Sequence, residues 1–123
     1  MNDVERPAHL VLKESTGMLA LLATRGLYDE QPDLWRMGER GRERTLEDFT
    51  HHFRALEVLD DRVFRRHVEY CQSLFQSRGF PQKWLDDAWR WMKLVIEREL
   101  PPAVARPALA VLSAGTASPE QPI

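Results

Sequence analysis

The stretch from Thr45 to Gly79 constrains this chain most, because it carries two amphipathic helical repeats with only a few residues between them. Phe49, His52, Phe53 and Leu56 recur on one face of the first repeat. Phe64, His67, Val68, Cys71, Leu74 and Phe75 recur on one face of the second. Apolar residues three and four apart mark a helix with one buried side. Leu59-Asp60-Asp61 separates the two and reads as a tight reversal, so an antiparallel hairpin is expected. Such a hairpin sets His52 level with His67, and Asp48 level with Cys71 one turn further from the loop.

Those residues are the main candidates for chemistry. Asp48 and His52 stand four apart on one helix, and His67 and Cys71 stand four apart on the next. That spacing lets two side chains reach one ion from a helix face. Two imidazoles, a thiolate and a carboxylate would complete a tetrahedral shell for zinc or another transition metal. Alternatively, His52 or His67 is an axial ligand to a haem or another tetrapyrrole lying between the helices. The commoner fate of buried histidines is a hydrogen bond to each other, to Asp48 or to a backbone carbonyl, with no cofactor. His51 falls on the solvent side of its helix, and His9 is isolated.

Around the hairpin, the remaining chain reads as helices and loops. Ala8 to Thr24 is rich in helix formers, with Ser15-Thr16-Gly17 expected to kink or divide it and Gly26 to stop it. A short helix is expected from Pro32 to Gly38, followed by an exposed loop of mixed charge containing Arg36, Arg40, Arg42 and Arg44. Thr45 is the expected N-cap of the next helix, with Asp48 completing a shortened capping box. Gly79 and Pro81 mark the boundary before a long helix to Leu100, which carries Trp84, Leu85, Ala88, Trp91, Met92, Val95 and Ile96 on one stripe. Pro101-Pro102 ends it. A last helix runs to about Ala114, with Pro107 expected to kink it. No alternating run argues for a strand.

The expected architecture is therefore all-α, a single-domain bundle of five or six helices over residues 1–114, with a globin-like packing among those open to it. Residues 115–123 are expected to be a disordered tail. Of the four tryptophans, Trp84 and Trp91 are expected in the core. Trp89 leaves its helix's stripe, so it and Trp35 are the candidates for a partner surface. Arg62, Arg65, Arg66 and Arg78 are expected on the outer face of the second hairpin helix.

A net charge of -2 gives no basic field for nucleic acid or an anionic membrane. One cysteine excludes an internal disulfide and fits a reducing cytoplasm. Asn2, Asp3 and Glu5 at the start do not resemble a signal peptide. No Gly-rich phosphate loop, nucleophile elbow or dinucleotide fingerprint is present, so no enzyme is expected.

The spacing of Gln31-Pro32-Asp33-Leu34-Trp35, Gly38, Gly41-Arg42, Glu47-Asp48-Phe49-Thr50-His51-His52, Phe64, His67-Val68-Glu69-Tyr70 and Arg78-Gly79-Phe80-Pro81 resembles a bacterial helical module. Such modules adjoin cobalamin-binding or other sensory domains of signalling proteins. The resemblance covers about residues 25 to 105. It implies a regulatory or sensory domain working through a protein partner or a second copy of itself, and carries over no catalytic residue. The Asp-x-His-x-x-Gly signature of a corrin-binding domain is absent from the chain.

Overall fold

A computed structural model describes residues 6–117. The expectations placed on residues 1–5 and 118–123 lie outside it. Five α-helices follow one another: α1 Ala8–Glu30, α2 Gly38–Leu56, α3 Asp61–Ser77, α4 Gln82–Glu99 and α5 Pro102–Thr116. A 3₁₀ segment, Pro32–Met37, joins α1 to α2. Among the described residues there is no strand, and the all-α expectation holds.

The first helix sits at the centre, packing against α2, α4 and α5, while α3 leans mainly on α5. Its buried residues include Leu12, Leu19, Ala20, Ala23 and Leu27. It neither kinks at Gly17 nor stops at Gly26. Gly26 is explained by packing rather than by termination. A Cβ at that position would fall within 3.0 Å of three ring carbons of Trp91, so only glycine lets α4 lay its indole against α1. No neighbour lies within 4 Å of a Cβ at Gly17. Thr24, fully buried in the same helix, turns its hydroxyl back on the Ala20 carbonyl at 2.8 Å. That bond satisfies its polar group inside the core.

The stretch expected as a charged loop is the first half of α2 instead. Glutamate and arginine are strong helix formers, and Glu39 in the first turn suits the positive end of the helix dipole. The helix begins at Gly38, whose φ of 72° is left-handed and reverses the chain after the 3₁₀ segment. Thr45 is consequently not a cap. It lies within the helix, its Oγ1 donating to the Gly41 carbonyl at 3.0 Å. Asp48 is thereby released from the capping role expected of it.

The reversal between α2 and α3 falls where the spacing placed it. Leu59 takes a left-handed φ of 57°, and Asp60 caps α3 through Oδ1, which accepts from the backbone N–H of Arg62 at 2.8 Å and Val63 at 3.2 Å. Gly79, with φ of 70°, closes α3 as expected. α5 passes through Pro107 and continues beyond Ala114. Gly115 is buried, its Cα side pressed against the Phe64 ring, so the expected tail cannot begin there. Arg65 is half-buried rather than outward, and its guanidinium hydrogen-bonds the Ala114 carbonyl near the end of α5.

Candidate functional site

Two features meet at His52. The first is a knot of donor atoms between α2 and α3. His52 Nδ1 lies 2.8 Å from His67 Nε2, and Cys71 Sγ lies 3.5 Å from the same His67 nitrogen. All three donor atoms lie within 4.8 Å of one another. The face-to-face placement of the histidines follows from the hairpin, and Cys71 joins because it is one turn along α3 from His67. Asp48 does not belong to this group. Its carboxyl instead borders a cavity on the other side of His52.

Trp89 closes the knot from α4. Its ring centroid lies 4.7 Å from that of His52, 6.0 Å from Phe64 and 6.5 Å from His67. It is 8% exposed, so it is a core residue and not the partner surface its position off the stripe suggested. The α4 stripe was drawn for one contact, but α4 packs on α1, α3 and α5 at once. Trp84, expected in the core, is 39% exposed, and Trp35 is 44% exposed as expected of a surface residue. Trp91 is buried, and its indole N–H donates to Glu30 Oε1 at 3.0 Å.

Burial governs the protonation of the knot. It pushes the His52 imidazole down to about 3, aided by the nearby His67, so this ring is neutral. It lowers His67 too, with His51 contributing. The Cys71 thiol is raised to about 11 by burial and then by the Asp48 carboxylate. Burial also raises Asp48 above the usual carboxylate range. The rings leave no space between them for a planar macrocycle. His52 Nδ1 and His67 Nε2 face each other at 2.8 Å, so a tetrapyrrole held by either ring has no room between the two as they stand. A haem between α2 and α3 at this level would have to part them.

The second feature is the cavity, of about 450 Å³, bounded by the end of α1, the 3₁₀ segment, α2, the end of α3 and the start of α4. Leu27, Phe49, Leu74, Phe75, Leu85 and Ala88 give it apolar walls, and His52 and Asp48 lie at its side. Exposed Arg40, Arg44 and Arg78 also border it, and none of the three makes an ion pair among the described residues. Sequence reasoning missed this chamber because its arginines were assigned to a loop and an outer helix face. Their common side appears only once Arg40 and Arg44 are placed one turn apart on α2.

At the far wall a polar cluster fastens α1 to α4. Arg90 bonds Glu30 at 2.6 and 3.0 Å, Gln31 bonds Asp87 at 3.0 Å, and Lys83 bonds Asp87 at 2.7 Å. The Arg90 guanidinium, followed by the Trp91 indole, holds Glu30 down to about 2. Among the described residues, no helix is long and apolar enough to cross a membrane. No known protein family, characterised protein or solved structure matches the chain.

Proposed function

We propose that this all-α domain is a non-enzymatic regulatory module of a bacterial cytoplasm, one that senses a small amphipathic anion and reports it through its helical surface to a protein partner or a second copy. The observation that carries this reading is the cavity. At about 450 Å³ it falls in the size range of small-molecule sites, and its apolar walls with a few polar groups match their usual make-up. Arg40, Arg44 and Arg78 at its border favour a carboxylate or similar anion on the ligand, with the apolar body inside.

Support for a signalling output comes from the outer side of α1. Leu10, Met18 and Leu21 are exposed there beside Gly17, over a helix that is apolar on its inner side as well. Support for a non-enzymatic role comes from the thiol. Its pKa is raised and His52 is held neutral, the reverse of what activates a nucleophile.

The test is a thermal-shift panel of medium-chain fatty acids and aromatic carboxylates, followed by light scattering with and without any hit. A ligand at about 100 times its Kd should stabilise the domain by about 2.7 kcal/mol. Arg44→Glu with Arg78→Glu should remove that shift and leave the free protein's melting temperature unchanged. A panel in which nothing moves the melting temperature or the Trp84 fluorescence defeats the sensing half. A hit that leaves association unaltered, in a chain that captures no partner, defeats the reporting half.

A further inference from the structure

The hydrogen bonding at the core of the hairpin does not balance. An imidazole nitrogen offers either one lone pair or one N–H, never two. His67 Nε2 nevertheless faces both His52 Nδ1 at 2.8 Å and Cys71 Sγ at 3.5 Å. If it accepts, two donors compete for one lone pair. If it donates, two acceptors compete for one proton. Three polar atoms in a buried seam thus share what amounts to a single hydrogen bond, although burial makes each unsatisfied group costly.

We infer that His52, His67 and Cys71 form a site for a zinc-class ion, a borderline-soft cation held by two imidazoles and a thiolate. One cation at the centre takes a lone pair from each of the three atoms and removes the competition. The chemistry fits the ion: nitrogen and thiolate donors select zinc over magnesium or calcium, which prefer oxygen. The geometry is close as well. Tetrahedral bonds of about 2.0 Å to nitrogen and about 2.3 Å to sulfur place the donors about 3.3 Å (N to N) and about 3.5 Å (N to S) apart. The sulfur already stands 3.5 Å from His67 Nε2, and the imidazoles need to part by about half an ångström from 2.8 Å.

Charge and access are also provided for. On binding, the Cys71 S–H proton leaves to solvent and the sulfur forms the metal bond, while both histidines bind as neutral rings. A divalent ion with one thiolate keeps one positive charge in excess. Asp48, one turn before His52 on α2, is the acidic residue placed to answer it. His67 is only half-buried, which gives the ion a route in from solvent. This site is independent of what fills the chamber.

The single cysteine makes the test decisive. Metal-free protein titrated with Co²⁺, as a coloured stand-in for Zn²⁺, should develop a thiolate-to-cobalt charge-transfer band that saturates at one ion per chain. Only Cys71 can give that band. Zn²⁺ should then abolish it and raise the melting temperature. Cys71→Ser should retain the fold by circular dichroism and lose the band and the thermal shift together. The proposal is overturned if the wild-type protein gives no charge-transfer band. It is equally overturned if Zn²⁺ leaves the melting temperature unchanged, or if Cys71→Ser binds zinc as tightly as wild type, which would point to exposed His9 or His51.

Discussion

Two glycines of α1 should respond oppositely to one substitution. Alanine is favoured over glycine inside a helix by about 1 kcal/mol, since it lowers the conformational freedom of the unfolded chain. Gly17 has open space around it, so Gly17→Ala should realise that gain in full. Gly26 sits under Trp91, with three of its ring carbons within 3.0 Å of where the new methyl would go. The indole is held where it is: it is 8% exposed, and its N–H is committed to Glu30. Forcing a methyl into a packed seam costs about 1–3 kcal/mol, and ring carbons this close put Gly26 at about 2–3 kcal/mol, which outweighs the propensity gain. Gly26→Ala should therefore lose about 1–2 kcal/mol net. With a shift of about 4 °C per kcal/mol for a domain of this size, Gly17→Ala should melt about 4 °C higher and Gly26→Ala about 4–8 °C lower. Urea titration at low protein concentration, to keep association through the outer face of α1 out of the comparison, measures both. A Gly26→Ala protein as stable as wild type, or more so, would refute the close approach of α1 and α4.

Acidification should destabilise the domain from about pH 6.5 downward, because the unfolded chain then takes up protons that His52, held at about 3 when folded, refuses. That single group gives a slope of up to about 1.4 kcal/mol per pH unit in this window, which His52→Gln should remove in a denaturation series across pH. Asp60→Ala removes an acceptor serving two backbone N–H groups and should cost about 1 kcal/mol, read as a fall in the urea midpoint at unchanged slope.

The hairpin was legible because its information is local. The apolar spacing through Phe49, Phe53, Phe64 and Val68 fixes which faces turn inward, and Asp60 offers its carboxylate to the next helix from one position. The meeting of His52 and His67 follows from those two facts alone. What escaped the sequence depends on partners far along the chain. Gly26 resembles a stop signal until Trp91, on another helix, is seen to need its missing side chain. Trp89 looks displaced from its stripe when α4 is given one neighbour, and buried when it is given three. The Gly38–Arg44 stretch carries helix formers and glycines in one segment, and tertiary support decided for the helix. The cavity was out of reach for the same reason, being enclosed by elements from the end of α1 to the start of α4.

The clasp between the end of α1 and α4 has a bearing on how the chamber fills. The short 3₁₀ strap along its edge starts directly after Gln31, which is fastened to Asp87, and finishes at a left-handed glycine; none of its side chains is buried. Leu34 packs against the core and Trp35 stands edge-on to Tyr28 with ring centroids 5.0 Å apart, so the strap is held by two apolar contacts beside the polar clasp at its start. Ionic strength, which weakens exposed ion pairs such as Arg90–Glu30, acts on that anchorage while sparing the packed interior.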